Sequence, residues 1–437
     1  MLAIFEQILH LLQKPLNRIN IKTIFIIFFL YLIFISLCSI AYGILLNLNN
    51  QIYDEELNII FKNISFANGD LIYNLYYKNE YFTEFNNIKF YLQKTPGIPF
   101  LIYFLSYFST NFFFIIIFKN LIIYSLYFYV AYQAIKSANK NGIFFIIISL
   151  IPIVIPYNFG VSLNFVYEDS LVSILLPCIF LSLITNYKNK YLILGFLFFV
   201  LYFVKTSMFF IIVLTPLLIV IFEKKSLKKF IPIFFSALAI LTWGLYGLHK
   251  TDRFPILNTS SSINTFVMSY ALNQNFHKYY PNKSTDLIPI DKIDTKNFKD
   301  EWQFFDFYKS KNDDYLKQNF DRYARDLLIK INFVFFGVKR DGAMPDQNGN
   351  FDNSVRLSQL ISKIFLNLSI CVLIFKLFSN MRKFIYDKKN IFFIFILIFN
   401  LMPHLVVWAT SKHLIGIINV ALIYLFFCLR ENKGNNY

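Results

Sequence analysis

The chain has 437 residues, 57% of them hydrophobic, with a mean hydropathy of +0.51 and a formal net charge of +16. The apolar share exceeds the ~45–50% of an ordinary soluble domain, so the composition points to lipid as the solvent. In a soluble protein such a basic balance would suggest nucleic acid as a partner; here the lysines gather in short loops between apolar runs, the positive-inside pattern, and no nucleic-acid partner is expected. The 55 phenylalanines and 29 tyrosines accompany much Ile, Asn and Lys, as A+T-rich coding produces, and are not read as functional. Cys38, Cys178, Cys371 and Cys428 each lie inside an apolar run, without the spacing of a metal site or a disulfide framework.

Residues 1–20 carry apolar side chains at helical spacing, and Lys14, Arg18 and Lys22 lead into the first long apolar run. This reads as a cytoplasmic interfacial helix followed by an uncleaved first span. A spanning helix needs about 20 mostly apolar residues. The first run is 21–46, followed by a polar stretch, 47–94. The apolar region 96–135 is too long for one helix and is interrupted by Asn111 and Lys119. It predicts a half-helix over 98–109 at the membrane surface and a true span from Phe112. Further runs follow at 142–156, 170–185, 191–204, 208–222 and 230–248. A polar region fills 249–354, with a helical stretch over 314–336, before the last runs at 357–378, 391–408 and 414–429. The predicted fold class is therefore an all-α polytopic membrane protein of about ten transmembrane helices. It comprises an N-terminal module (1–248) with a first external loop (47–94), an external cap (249–354) and C-terminal helices (355–437).

With the N-terminus inside and 98–109 not spanning, the inside loops are 136–140, 188–190, 224–229, 382–389 and the tail from Arg430. Every short basic cluster then falls on the cytoplasmic side, and both termini are inside. Counting 98–109 as a span would put Lys136 and Lys140 outside and invert everything after them. The layout shows no internal repeat, which weighs against a secondary transporter.

Charges at helix ends on one side of a membrane are candidates for chemistry. Tyr53-Asp54-Glu55-Glu56 follows the first span, and Glu168-Asp169 precedes the run 170–185, both on the outer side. The plain alternative is two solvated loop acids. Lys205, in Phe203-Val204-Lys205-Thr206-Ser207, breaks the positive-inside trend and calls for a compensating anion, unless it snorkels to headgroups. Lys250 and Arg253, and then Lys412-His413 near the last span, repeat the pattern. A carboxylate can take a proton from an acceptor hydroxyl, while lysine and arginine can hold the phosphate of a leaving group. Together these suit transfer of a sugar from a lipid-linked phosphate. His404 and His413 flank the last external turn, where a polar histidine at a helix end is also commonplace.

The order of these features resembles the GT-C glycosyltransferases, in the family-39-like branch that includes protein O-mannosyltransferases and lipid A aminoarabinose transferases. The resemblance rests on Tyr53-Asp54-Glu55 after span one, Ala67-Asn68-Gly69-Asp70 further along that loop, and Thr95-Pro96-Gly97-Ile98-Pro99 at the half-helix. It continues in Glu168-Asp169, Lys205, Trp243 and Phe254-Pro255-Ile256-Leu257-Asn258-Thr259, and covers about residues 20–260. Beyond these the likeness is only in having spans and an outer basic residue, Lys412.

The resemblance implies that Asp54 is the catalytic base, with Glu55 second, and that Glu168 or Asp169 orients the acceptor or a metal. Lys205, Lys250, Arg253 and Lys412 would bind the donor phosphate. Glu56 makes the first motif unusually acidic for the branch, and members differ in metal dependence, so a divalent metal stays open. The donor implied is a polyprenyl-phosphate sugar; the acceptor is a glycolipid, a surface polysaccharide or a protein at the periplasmic face of a bacterial inner membrane. One rival is a polysaccharide polymerase or ligase, which relies on external arginines; this chain offers Arg253, Arg322, Arg325, Arg340 and Arg356. The other is a transporter or flippase, which should carry charges midway along its spans.

Overall fold

The computed structural model describes residues 13–50, 71, 74–75, 78–85, 88–109, 111–163, 168–223, 226–259, 298–318, 320–336, 353–406 and 411–431. Within them the protein is an all-α membrane protein with one small β-hairpin. Helix α1 is Ile21–Asn50. The hairpin, β1 (Thr83–Phe85) and β2 (Ile88–Phe90), lies in the first polar stretch, with Thr83 opposite Phe90. The half-helix is α2, Gly97–Ser106, and Asn111 caps α3, Phe112–Ser137, through the amides of Phe113 and Phe114. The expected break at Asn111 is thus an N-cap. Asn141 likewise caps α4, Gly142–Val154. Helix α5, Pro156–Leu163, starts at a proline and is bent by 74° from α4. Pro156 cannot continue the preceding helix but suits the first turn of a new one.

The remaining elements are α6 (Glu168–Ile184), α7 (Lys190–Val204), α8 (Phe209–Phe222) and α9 (Ile231–Thr251). The second polar region contributes α10 (Glu301–Gln318) and α11 (Phe320–Phe336), two helices where one stretch over 314–336 was expected. Helices α12 (Asn353–Ser379), α13 (Met381–Tyr386), α14 (Lys388–Val406) and α15 (Ile415–Glu431) complete the chain.

All ten apolar runs are helical, but about ten membrane-length helices are not found. Among the described residues four helices are long and apolar enough to cross a membrane, Ile21–Ile44, Phe113–Ser137, Leu227–Thr251 and Arg356–Ser379. The bent pair α4–α5 makes up to five. Several other runs give short apolar helices: α7 has 15 residues, roughly 22 Å of rise against a hydrocarbon core of about 30 Å. Hydropathy finds apolar runs; it does not measure how far each helix extends before a break such as the one at Lys205.

Helix α6 is the centre of the bundle. Every residue from Asp169 to Leu183 is buried, as suits a helix apolar on all sides. It packs against α3, α5, α7, α14 and α15. Gly416 lets α15 approach: a Cβ there would lie 2.8 Å from Leu176 Cδ1 and 3.0 Å from the Val172 carbonyl.

The basic loops share one face. The Leu16 amide donates to the Lys140 carbonyl, and the Gly142 amide to that of Lys14. Lys140 and Lys389 are close enough to repel. Lys388 and Lys190 both pair with Glu223, at 3.3 and 2.5 Å. Opposite this face, a second small core of Ile88, Phe90, Phe304 and Tyr308, with Phe298 against it, joins the hairpin to α10.

Candidate functional site

At the end of the bundle away from the basic loops, α6 begins with Glu168 and Asp169. Acids in a first helical turn are favoured by the unpaired amides and the helix dipole. Asp169 is 5% exposed and Lys205 7%, and their side chains pair at 2.5 Å. Lys205 lies in extended backbone between α7 and a short 3-10 turn, Thr206–Met208, that leads into α8. This break turns the side chain inward, so the snorkelling alternative does not hold for Lys205.

His413, in the 3-10 turn Ser411–Leu414 before α15, completes the cluster. Its Nδ1 is 2.9 Å from both Asp169 carboxylate oxygens and 3.1 Å from Lys205 Nζ. One ring nitrogen carries either a proton or a lone pair. Nδ1 can therefore donate to Asp169 or accept from Lys205, and the cluster holds a proton that can be placed in more than one way. Two buried hydroxyl and indole groups near the break, Ser207 Oγ and Trp243 Nε1, find no partner among the described residues.

Glu168 faces another way and pairs with Lys94 at 3.3 Å. Thr95 donates its hydroxyl to the Val204 carbonyl at 3.0 Å, one residue before Lys205. Gly97 permits this contact, since a Cβ there would lie 2.7 Å from the Phe203 carbonyl oxygen. Beside it opens a cavity of about 300 Å³ lined by Tyr81, Pro96, Gly97, Phe100, Phe203, Thr242, Trp243 and Tyr246. Its hydroxyls are engaged elsewhere: Tyr81 donates to the Lys94 carbonyl, Tyr246 to that of Tyr81, and Thr242 to that of Leu238. The wall of this apolar cavity thus reaches Phe203, two residues before Lys205.

The other expected residues lie apart. Lys250 pairs with Glu80 at 3.7 Å and lies over the Tyr91 ring, and Arg253 pairs with Asp306 at 2.8 Å and lies over Trp302. Lys250 thus ties the end of α9 to the first polar stretch and Arg253 ties it to α10, and neither has a described contact with Asp169 or Lys205. Asp54, Glu55 and Glu56, with Ala67–Asp70, lie outside the described residues, and so do the side chains of Lys412 and His404. Among the described residues no group of three or more His, Cys, Asp or Glu is placed to hold a metal. No family model matches the chain, and no curated protein or solved structure matches it.

Lys94 and Lys119 were not singled out as site residues. Lys119, fully buried on α3, donates to the Ser162 carbonyl at 3.4 Å and the Ser170 hydroxyl at 3.2 Å. Its neighbour Asn120 donates to the Leu163 carbonyl. The pair therefore caps the last carbonyls of α5, a position that suits a cation, and braces the chain on its way to Glu168. The one available signal was a lysine interrupting an apolar run.

Proposed function

We propose that the protein is a membrane glycosyltransferase, GT-C-like, that moves a sugar from a polyprenyl-phosphate donor to an acceptor at the external face. The observation that carries this reading is the buried Asp169–Lys205–His413 cluster, with an apolar cavity whose wall reaches Phe203, two residues before Lys205. A lipid phosphate needs both a cationic seat for its headgroup and an apolar wall for its chain. Lys205 and a protonated His413 supply the seat by charge-assisted hydrogen bonds that strengthen as the leaving phosphate gains charge. Phe100, Phe203 and Trp243 supply part of the wall. Asp169 holds both cations in place before the donor arrives. The acceptor's proton goes to Asp54, or to Glu55, as the sugar–phosphate bond breaks.

In this reading the short helices also cross, so that about ten helices connect a cytoplasmic basic face with an outer catalytic face. The protein then resides in a bacterial inner membrane, and the acceptor is a glycolipid, a surface polysaccharide or a protein. A transporter would use a mid-membrane charge such as Lys119. The capping of α5 already accounts for that residue.

The test is mass spectrometry of surface glycans and lipid-linked sugars in cells with and without the gene. Loss of one terminal sugar with accumulation of its donor is expected; identical profiles would reject transfer. In cells carrying variants, Asp54→Asn should lower transfer by about a hundredfold or more with donor retention intact, the usual size of a general-base contribution. Full activity in Asp54→Asn with none in Glu55→Gln would move the base by one residue. Full activity in both, and in Glu56→Gln, would remove the first acidic motif from the mechanism.

A further inference from the structure

The segment that follows the hairpin, residues 91–97, runs past the candidate site like a strap and ends on the first residue of α2. Glu301, the first residue of α10, holds one end of it and is 1% exposed. Its carboxylate accepts from the Tyr91 amide at 3.2 Å, the Leu92 amide at 3.1 Å and the Thr259 hydroxyl at 3.1 Å. The Thr259 amide returns a bond to the Leu92 carbonyl at 2.8 Å. Asp300 fixes Glu301 in turn, accepting from the Trp302 and Gln303 amides at 2.9 and 2.8 Å as a helix cap. The strap's other end carries Lys94, paired with Glu168, then Thr95 on Val204, then Pro96 and Gly97 in the cavity wall.

We propose that Glu301 is a positioning residue that pins the 91–97 strap, and so sets the place of Lys94 and the edge of the apolar cavity. This rests on the donor-site reading of that cavity. The pin is pH-dependent. Burial pushes the Glu301 carboxyl up to about 7, with Asp300 adding to the rise against the pull of its three hydrogen bonds. The groups that face it are Asp300 on its own helix, Tyr91 on the strap and Tyr246 on α9. Behind Tyr91 stand Glu80 and Lys250. A protonated Glu301 keeps all three bonds, because the Thr259 hydroxyl can reverse and accept the proton while both amides still donate to the acid. The ionised form keeps the bonds but buries a charge.

A carboxyl raised in the closed state favours closure in full below the ordinary glutamate range. It loses that advantage as pH rises to about 7, and nothing changes above it. Opening of the strap should therefore grow by up to roughly tenfold per pH unit across that window. Glu301→Gln removes the titration, and a carboxamide cannot accept from every donor because its NH2 must face one of them. Thr259→Val removes the hydroxyl that takes the proton.

The experiment is hydrogen exchange of the full chain in lipid nanodiscs, read on peptides covering residues 88–97 and corrected for intrinsic pH dependence. It is paired with retention of undecaprenyl phosphate at each pH. In the wild type, protection should fall and retention weaken as pH rises to about 7. In Glu301→Gln both should be lower at acid pH, with a flattened slope; in Thr259→Val both should be lower at acid pH with the slope kept, because the carboxyl still titrates and loses a bond that lowers its pKa. Wild-type exchange in both variants would overturn the pin. Altered exchange with unchanged lipid retention would overturn the positioning role. Normal exchange behaviour with no wild-type retention at any pH would instead sink the donor-site reading, and the role with it.

Discussion

Asp169 and Lys205 are each more than nine-tenths buried, so neither charge is affordable without the other. Removing Lys205 leaves the buried Asp169 carboxylate with His413 as its remaining partner in the cluster, whereas removing both acid and lysine takes the two buried charges away together. Lys205→Met should destabilise the protein by roughly 3–5 kcal/mol, and the double variant Asp169→Leu with Lys205→Met should recover much of that. Thermal unfolding in detergent reports both; equal losses in the single and double variants would mean that the pair is not energetically coupled. Lys205→Arg should keep part of the pairing. Asp169 and Lys205 were visible in the sequence because each stands at the edge of an apolar run. Their meeting with His413, noted in the sequence only as a histidine at the last external turn, was not. His413 lies 244 residues from Asp169, and only the 3-10 turn decides that it faces inward. Lys94 was hidden in the same way, 74 residues from Glu168. Lys250 and Arg253, read as phosphate binders from their place at a helix end, pair with Glu80 of the first polar stretch and Asp306 of α10, acids that sequence position does not reveal.

Helices meet at the site because two of them pack unusually close. Helix α15 reaches α6 at Gly416, where an added methyl would press on the Val172 backbone as well as on the movable end of Leu176. Backbone inside a helix has little room to give. Gly416→Ala should cost roughly 1–3 kcal/mol and lift His413 away from Asp169. Gly160 on α5 is the control, since nothing lies within 4 Å of a Cβ there. Gly160→Ala should be neutral or stabilise by up to about 1 kcal/mol, as alanine replaces glycine in a helix. Similar melting shifts for the two would refute the close-packing account. At this scale the sequence was informative about which runs are helices and about the break at Asn111. It was silent on the hairpin at Thr83–Phe90, whose strands are three residues each, too short for alternation to show. It also merged α10 and α11, because no strong breaker separates them.

At the scale of the whole molecule, the arrangement of charge argues for a single way across the membrane. The loops after α3, α6 and α8, the turn before α14 and the segment before α1 lie together, linked through Lys140, Lys190, Glu223 and Lys388. Lys94, Glu168, Asp169, Lys205 and His413 gather at the other end. Helices α6, α7 and α8 each join the two, and α7, from Lys190 to Val204, is too short to span an undistorted bilayer. Either the membrane thins around the short helices, which costs only fractions of a kcal/mol per Å of mismatch, or neighbouring helices shield their ends. If the proposed reading holds, the two faces belong to different compartments, and the positive-inside bias then predicts that the lysine-rich one is cytoplasmic. Single cysteines placed at Lys136, Lys228 and Asp300, with the four native cysteines replaced, should divide under a membrane-impermeant thiol reagent applied to intact spheroplasts. Lys136→Cys and Lys228→Cys should react only after the membrane is opened, and Asp300→Cys before. Early labelling at both lysine sites would mean that α2 crosses, which inverts everything after it, or that the whole chain is inverted. A split between Lys136 and Lys228 would break the shared basic face itself, and the outer placement of Lys205 would fall with it.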